Sequence, residues 1–470
     1  MPALMVQGTS SWAGKSLLTT ALARWFARNG VRVAPFKAQN MSNNARVVDG
    51  GEIGAAQHLQ ALAAGVVPDV RMNPVLLKPE TEMSSQVIVN GQVDRELSRR
   101  AWRGRSSTLW PIAEAALSSL LGEYELVIIE GAGSPAEINL ADSDIVNMRV
   151  AAAANAPVLL VTDIDRGGAF AHLYGTWALL EEADRARIRG FVLNKFRGDA
   201  ALLSPAPARL EARTGVPTIG VLPWLVHGLP DEDGGGHREA RLAGGARPRV
   251  AVVLYPTASN LDEFRAVEQV ADVVWARSPE DLHDADLVVL PGSKHVAGDL
   301  TWLRASGLAD AVRARVSRGE RVLAICGGLQ MLGERLDDPA GVDGAGAGLG
   351  LLPLVTTFGD RKRTDAVGTR FGEVRGPWRA LSGCRVRGYE IRHGTTAMAG
   401  AVDEVLPDGR GFAHGPVLAV YVHGLLESSE LVARILGAPL SQDLDATFDL
   451  LANALDTHLD MPYVARLAEV

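Results

Sequence analysis

Short apolar runs separated by amphipathic stretches fill the N-terminal half of the chain. Runs of this length that stop at glycine or polar residues are typical of buried parallel strands. The stretches between them, such as residues 17–26 and 51–64, carry the spacing of apolar residues that predicts helices. This alternation continues through residue 221 and predicts a doubly wound parallel sheet that binds ligands at the carboxyl ends of its strands. The apolar runs are residues 4–6, 31–36, 126–129, 158–161 and 188–193.

A second α/β pattern begins at residue 249, after an abrupt change of composition. Residues 231–248 combine acidic residues, three consecutive glycines and an arginine- and alanine-rich run, and they predict a linker. We therefore expect a first domain over residues 1–230, a second over residues 249–440, and a C-terminal helical segment over residues 441–470. The predicted strands of the second domain include residues 249–254, 287–290, 322–325 and 417–422.

Composition narrows the classes of function. A formal net charge of −8 over 470 residues argues against a non-specific nucleic-acid binder. Two cysteines cannot build a disulfide framework or a cysteine-rich zinc site. The most apolar segment, residues 150–161, is interrupted by Asn155 and Pro157 and is too short to span a bilayer. No basic-then-apolar leader begins the sequence, so we expect a cytoplasmic protein with neither nucleic acid nor membrane as a partner.

A Gly-Lys-Ser sequence lies between the first predicted strand and the first predicted helix. In such a loop, backbone N–H groups and the helix N-terminus hold phosphate oxygens, Lys15 adds a positive charge, and Ser16 can ligate Mg²⁺. The leading Gly8 lies six residues before Gly14 rather than five. This longer loop resembles the dethiobiotin synthetase branch of P-loop enzymes, and we predict a nucleotide site that also includes Thr9. The alternative is a glycine- and serine-rich turn that only caps a helix.

Polar residues also follow several of the other predicted strands. Glu130 directly follows the apolar run of residues 126–129, as a Walker-B carboxylate follows its strand. We therefore predict that it binds Mg²⁺ or the attacking group. Asn194 ends a later strand, and its amide is a candidate for reading the nucleotide base. Lys37, after the second strand, is a candidate for holding phosphate or carboxylate. Each of these residues could instead be an ordinary polar strand end.

Cys326 follows a predicted strand directly and precedes two glycines and a predicted helix. This arrangement is a nucleophile elbow, in which the helix N-terminus favours the thiolate. His423 ends another predicted strand beside a glycine and is the candidate base. Gly292 and Gly327 could supply backbone N–H groups for an oxyanion hole. The alternatives are a buried structural cysteine and a histidine satisfied within the core.

A cysteine elbow with a distant strand-end histidine resembles class I glutamine amidotransferases. Those domains usually carry a glutamate two residues after the histidine, where this sequence has Leu425. The loss is typical of the branch that contains the cobyric acid synthases and cobyrinate diamide synthases. Whether Glu427, Glu390 or no residue orients His423 is left open by the sequence.

Motifs that run through both predicted domains resemble the cobyric acid synthase family. One departure is Arg392, because the family typically has histidine at that position. The resemblance implies an N-terminal P-loop domain with a doubly wound parallel sheet and a C-terminal class I glutamine amidotransferase α/β domain. The matching segments are residues 7–11, 35–42, 72–79, 130–140, 163–168, 194–199 and 348–352.

The resemblance also implies a reaction in cobalamin biosynthesis. The b, d, e and g carboxylates of adenosylcobyrinic acid a,c-diamide would be amidated to give adenosylcobyric acid, with ATP and Mg²⁺ as cofactors and glutamine as the ammonia donor. The corrinoid and glutamine are then the expected small-molecule partners, and the corrin pocket is expected between the domains. The oligomeric state is left open, with a homodimer among the alternatives.

Three other functions fit parts of the sequence. A cobyrinic acid a,c-diamide synthase would use the same two domains on different carboxylates. A ParA-like ATPase switch resembles the N-terminal half, but such proteins carry a further lysine near the loop's start, and none lies between Gly8 and Gly14. An inactive amidotransferase used as a binding module would not need both Cys326 and His423.

Overall fold

The computed structural model describes residues 2–80, 84–100, 104–225, 227, 229, 247–441 and 443–470. Most of the predicted linker, residues 231–246, therefore lies outside the described residues. No helix in the described ranges is long and apolar enough to cross a membrane.

The first half of the chain is built on a parallel sheet with helices on both faces. Its strand order is β12-β11-β10-β1-β9-β2. The strands are β1 (Ala3–Gly8), β2 (Val33–Phe36), β3 (Gln39–Met41), β4 (Ala45–Val48), β5 (Gly51–Gly54), β6 (Val75–Pro79), β7 (Ser85–Val89), β8 (Gln92–Asp94), β9 (Leu126–Glu130), β10 (Val158–Asp163), β11 (Ile188–Phe196) and β12 (Thr218–Pro223). The helices are α1 (Lys15–Arg28), α2 (Ala55–Ala63), α3 (Arg95–Arg99), α4 (Arg105–Glu123), α5 (Met148–Ala153), α6 (Ala169–Leu179), α7 (Glu182–Arg185) and α8 (Ala206–Thr214).

Alternate residues of the central strands pack into two separate cores. Met5 belongs to a cluster with α4 and α5, whereas Leu4 and Val6 belong to a cluster with α1. Both faces of the sheet are thus buried, which is why its strands read as continuous apolar runs. The predicted doubly wound sheet is confirmed.

A smaller unit is inserted between β2 and α4, and it corrects one expectation. Residues 51–64 are not one helix, because β5 pairs antiparallel with β4 and α2 begins only at Ala55. The two-residue turn is Asp49-Gly50, with φ of 46° and 73°. Asp-Gly favours a tight hairpin because both central residues of such a turn need a positive φ. The strands of the other sheet in this unit follow the order β3-β6-β7-β8.

The second half has a mixed sheet with the order β15-β13-β16-β18-β25-β24-β23. Pairing is parallel from β15 to β25 and antiparallel beyond it. The strands are β13 (Arg249–Val253), β14 (Ala258–Ser259), β15 (Asp272–Ala276), β16 (Leu287–Leu290), β17 (Gly292–Ser293), β18 (Val322–Ile325), β19 (Arg335–Asp337), β20 (Gly346–Ala347), β21 (Leu354–Arg370), β22 (Arg385–Met398), β23 (Asp403–Leu406), β24 (Gly411–His414) and β25 (Val417–Val420). The helices are α9 (Val296–Ala305), α10 (Leu308–Ser317), α11 (Gly327–Leu332), α12 (Ser429–Leu436), α13 (Leu444–His458) and α14 (Met461–Leu467).

The last two helices return to the first half of the chain. Residues Phe448 and Leu451 of α13 are buried in the same cluster as Leu18 and Leu22 of α1. The predicted C-terminal helical segment therefore completes the core on one face of the first sheet. Helices α13 and α14 follow the second half in the chain but pack against the first half, so packing as well as the chain joins the two halves.

Buried charges join the inserted unit to the long hairpin of β21 and β22. Both carboxylate oxygens of Glu52 on β5 are paired, with Lys78 Nζ at 2.7 Å and with Lys362 Nζ at 2.5 Å. Burial alone would raise the pKa of Glu52, but the two ammonium groups lower it to about 2. The carboxylate therefore stays ionised at neutral pH and compensates the charge of Lys78 and that of protonated Lys362, whose pKa burial lowers to about 7.

We predict that Glu52→Gln lowers the free energy of unfolding by about 3–5 kcal/mol, because it leaves buried lysines without their carboxylate. Denaturant unfolding followed by circular dichroism would measure the loss. The control is Glu96→Gln, which breaks an exposed pair with Arg100 and should cost well under ~1 kcal/mol. Equal stability of the two variants would contradict the structural role of Glu52.

Candidate active site

The loop between β1 and α1 has the backbone of a phosphate-binding loop. Trp12 and Gly14 adopt positive φ values of 67° and 102°. A Cβ at Gly14 would lie 1.9 Å from Nδ2 of Asn194, so only glycine fits there. Lys15 is buried and folds back over the loop, where Nζ donates to the carbonyls of Ser10 at 3.1 Å and Gly133 at 3.4 Å. The positive charge is thus held above the N-terminus of α1, where an anion would bind.

Ser16 and Glu130 meet at the carboxyl edge of the sheet. Ser16 Oγ donates to Glu130 Oε1 at 3.0 Å, and Lys37 Nζ lies 2.7 Å from the same oxygen. Gln60 Nε2 donates to the other carboxylate oxygen. A hydroxyl beside a carboxylate is the oxygen donor set that Mg²⁺ takes next to nucleotide phosphates, so Ser16 and Glu130 fit that ion. The structure brings these predicted residues together, and their metal role stays a prediction.

Asn194 and Lys195 donate hydrogen bonds to backbone carbonyls of the loop. Asn194 Nδ2 donates to the carbonyl of Ala13 at 3.0 Å, while the neighbouring Lys195 Nζ donates to the carbonyl of Trp12 at 2.7 Å. Thr9 Oγ1 donates to Thr162 Oγ1 at 2.9 Å, which fixes the start of the loop to β10. The predicted nucleotide residues therefore surround one loop, and base reading by Asn194 stays a prediction.

The second centre is built on the turn between β18 and α11. Cys326 has φ 51° and ψ −107°, a conformation that costs energy for a residue with a Cβ and is a feature of nucleophile elbows. The turn also requires its glycines. A Cβ at Gly327 would lie 2.6 Å from Cβ of Ser293, and one at Gly328 would lie 2.2 Å from the carbonyl oxygen of Leu290.

His423 lies beside Cys326, and its Nδ1 atom is hydrogen-bonded to Glu263. Its Nδ1 is 3.0 Å from Oε1 of Glu263, whose other oxygen accepts a hydrogen bond from the Gly424 N–H at 3.0 Å. Burial alone would lower the pKa of His423, but its hydrogen bonds to Cys326 and Glu263 raise that pKa to about 10. His423 therefore holds a proton at neutral pH and lies beside Cys326 as an imidazolium.

Glu263 is a candidate functional residue that the sequence analysis does not identify. Neither alternative fills the orienting position, because Glu427 pairs with Arg46 and Glu390 pairs with Arg392 and Arg410. Glu263 precedes His423 by 160 residues and lies in a short 3₁₀ segment, Leu261–Arg265. No spacing motif links the two positions, so only the packed fold reveals the pair.

The predicted oxyanion glycines both lie at this centre. A Cβ at Gly292 would approach Cε1 of His423 to 2.9 Å and Oγ of Ser259 to 2.8 Å. Gly327 directly follows the cysteine and opens α11. Their role as N–H donors to an oxyanion stays a prediction. Arg392, the departure from the family pattern, stacks its guanidinium 3.8 Å from the ring centroid of Tyr421.

A cavity of about 770 Å³ lies between the two halves of the chain. Its walls include Lys15 and Lys37 of the nucleotide centre and the segment from Leu254 to Leu261 of the second half. Strand β14 in that segment pairs with β17, which carries Gly292. The cysteine centre therefore adjoins the part of the wall that contains β14, and Ser11 and Lys15 of the phosphate-binding loop also line the cavity.

Together, a P-loop domain and a cysteine–histidine–glutamate domain define a two-domain glutamine amidotransferase. Residues 4–229 match the sequence profile of the CobQ/CobB/MinD/ParA nucleotide binding domain. Residues 249–431 match that of the CobB/CobQ-like glutamine amidotransferase domain.

Relatives that match nearly the whole length of the chain identify its family. The chain is 58% identical to the cobyric acid synthase of Variovorax paradoxus, with 97% of each chain covered. It is 59% identical to that of Paracidovorax citrulli, again with 97% of each covered. For a Polaromonas species the identity is 55%, over 97% of this chain and 96% of the relative. The chain belongs to the cobyric acid synthase family, so the family and fold class expected from the sequence are confirmed.

We predict that Glu263→Gln slows glutamine hydrolysis roughly 10²- to 10⁴-fold, because His423 loses the carboxylate that orients and charges it. Glu263 raises the pKa of His423. Its loss should therefore let the imidazolium deprotonate at lower pH and shift the alkaline limb of the rate profile downward. Steady-state glutaminase assays across pH would test both effects.

The matched control is Glu427→Gln, since that carboxylate contacts Arg46 and was an alternative orienting residue. We expect a much smaller change of rate and an unmoved alkaline limb. A larger loss of rate in Glu427→Gln than in Glu263→Gln would show that the hydrogen bond between Glu263 and His423 does not orient the histidine for catalysis.

Proposed function

We propose that the chain performs the cobyric acid synthase reaction in cobalamin biosynthesis. In that reaction, the b, d, e and g carboxylates of adenosylcobyrinic acid a,c-diamide are amidated with ATP and glutamine. The observation that carries the proposal is the cavity between the two halves, which Lys15 of the phosphate-binding loop lines and whose β14 wall pairs with the strand that carries Gly292 beside His423. We further propose a cytoplasmic location, where ATP and glutamine are both supplied.

Amide formation from a carboxylate needs an activated oxygen. Ammonia cannot displace oxide, so the carboxylate must first carry a phosphoryl group. ATP supplies that group, and Mg²⁺ held by Ser16 and Glu130 would neutralise charge on its phosphates. Lys15 supplies a fixed cation at the loop. Lys37, paired with Glu130 at 2.7 Å, adds a second cation where the carboxylate and the phosphate must meet.

Ammonia is released at the second centre. The thiolate of Cys326 attacks the side-chain amide carbon of glutamine. The N–H of His423 that faces Cys326 then gives its proton to the departing nitrogen, so that ammonia leaves and a thioester remains. Water attacks the thioester while His423 takes one of its protons, which releases glutamate and restores the thiolate. Glu263 keeps the imidazole in the tautomer and orientation that both transfers need.

The cavity is suited to the transfer of ammonia and to a large polycarboxylate. The cavity wall at β14 adjoins the cysteine centre through β17, so ammonia released at that centre would be close to an activated carboxylate in the cavity. Arg105 and Arg277 are among the lining residues and bring positive charge to a cavity that would hold carboxylates. Met41 and Leu140 are also on the lining and expose apolar surface for a macrocycle.

The decisive experiment is amidation of adenosylcobyrinic acid a,c-diamide by the purified protein with ATP and Mg²⁺, followed by mass spectrometry. We predict a stepwise gain of four amides with glutamine. Cys326→Ala should lose this activity with glutamine and regain it with ammonium, because only ammonia release needs the thiol.

One control substrate keeps the assay specific. Cobyrinic acid offered as the substrate tests the a,c-diamide synthase alternative. ATP hydrolysis without any gain of amide would overturn the proposal and favour an ATPase switch or an amidotransferase with another substrate.

We also predict that Glu130→Gln abolishes amidation with either nitrogen donor, because it removes the carboxylate shared by Ser16 and Lys37. A chelator of divalent cations should do the same to the unaltered protein. Glutamine hydrolysis at Cys326 should continue in both experiments. Amidation that survives the chelator would contradict the assignment of Mg²⁺ to this site.

A further inference from the structure

An arginine of the first domain lies beside the proposed glutaminase triad of Cys326, His423 and Glu263. Arg46 lies on β4, and its side chain is only 6% exposed. Its Nη2 forms ion pairs with Asp262, at 2.5 Å, and with Glu427. Its Nη1 donates to the hydroxyl of Tyr389, and its guanidinium lies 5.0 Å from the centroid of that ring.

Asp262 and Tyr389, two of the partners of Arg46, connect it to His423. Asp262 is the neighbour of Glu263, which holds Nδ1 of His423. Tyr389 stacks on the imidazole with ring centroids 5.4 Å apart and an angle of 20° between the planes. The same tyrosine and histidine exchange two backbone hydrogen bonds, at 3.2 Å and 2.9 Å. Arg46 therefore contacts the histidine's support from the carboxylate side and from the ring face.

A second contact ties the same segment to the wall of the cavity. Oδ1 of Asn44 accepts a hydrogen bond from the Leu261 N–H at 3.0 Å. Asn44 and Leu261 both line the cavity that also contains Lys15 and Lys37. Two residues of the first domain, Asn44 and Arg46, thus hold the 3₁₀ segment that carries Glu263.

Electrostatics make Arg46 necessary for this geometry. Burial raises the pKa of Asp262, as does the neighbouring Glu263, while the cation of Arg46 opposes both effects. Without that cation, two adjacent buried carboxylates would face each other, and one of them would have to take up a proton or move. Either change displaces the segment that orients His423.

We propose that Arg46 is a positioning residue by which the first domain holds Glu263 and His423 in their working geometry, so that the state of the cavity is transmitted to glutamine hydrolysis. The inference rests on the proposed glutaminase role of Cys326 and His423. Its physical basis is that displacements of about 1 Å at a catalytic group can cost about 10²-fold in rate. The chemistry itself remains with Cys326 and His423.

The test measures glutamine hydrolysis by full-length Arg46→Gln. We expect kcat to fall about 10²-fold with little change in KM, because the geometry of the histidine changes and glutamine's own contacts do not. Amidation of the corrinoid with ammonium should remain within about twofold of the unaltered protein, which also shows that the variant is folded. Arg46→Lys should recover part of kcat, because it keeps the cation for Asp262 but not the fork that reaches Tyr389.

A double-mutant cycle separates positioning from general destabilisation. If Arg46 acts through Glu263, the double variant Arg46→Gln/Glu263→Gln should hydrolyse glutamine about as slowly as Glu263→Gln alone. Arg95→Gln is the matched control. Arg95 also crosses between the halves, at the exposed Asp360, and its loss should leave kcat unchanged.

Transmission is tested by the ratio of glutamine hydrolysis with and without ATP and the corrinoid. The unaltered protein should respond to their addition, and Arg46→Gln should respond much less. An unchanged kcat in Arg46→Gln, or multiplicative effects in the double variant, would overturn the positioning role. Equal ratios in the two proteins would overturn transmission. Failure of the proposed function is a separate result, namely no amidation with ammonium by the unaltered protein.

Discussion

The hydrogen bond between His423 Nδ1 and Glu263 Oε1, 3.0 Å long and fully buried, is the interaction on which the second centre depends. A buried imidazole would otherwise be neutral, since burial alone lowers its pKa. Glu263 and the thiol reverse that tendency, so one carboxylate holds both the charge and the orientation of the imidazole. The cost is a cluster of buried carboxylates beside the histidine. Arg46 compensates it, and this explains why a residue of the first domain reaches so far into the second.

The two halves are consequently docked through charges as well as through apolar packing. Glu52 with its two lysines lies at one end of the contact, and Arg46 with its carboxylates lies beside the triad. Buried ion pairs contribute modest net stability, but they are strict about geometry, because a displaced partner leaves a charge without compensation. An interface of this kind fixes the position of the cavity walls. That fixed position suits a reaction in which ammonia made behind one wall must meet a carboxylate activated at the other.

Much of the fold and part of each site could be predicted because the signals are local. Strand, turn and helix follow one another at Gly14 and again at Cys326, so the backbone conformation of each turn is encoded in consecutive residues. The Asp49-Gly50 turn is an equally local signal, and the helix expected over residues 51–64 begins only at Ala55 because that turn leads into strand β5. Glu263 had no local signal. Its neighbours form a short 3₁₀ segment, and two other acids, Glu390 and Glu427, were closer in sequence to the histidine or its strand.

Local patterns are enough to predict the class of each domain, the loop at Gly14 with Ser16 and Glu130, and the pair of Cys326 and His423. Glu130, Cys326 and His423 each lie at or just after the end of a buried strand, and a parallel sheet brings such strand ends to one edge. The packed fold was needed to reveal which carboxylate holds His423, that the C-terminal helices complete the first core, and that Arg46 crosses between the halves. Those choices depend on how separately folded elements pack, and close packing with charge compensation selects among side chains that are equivalent in the sequence.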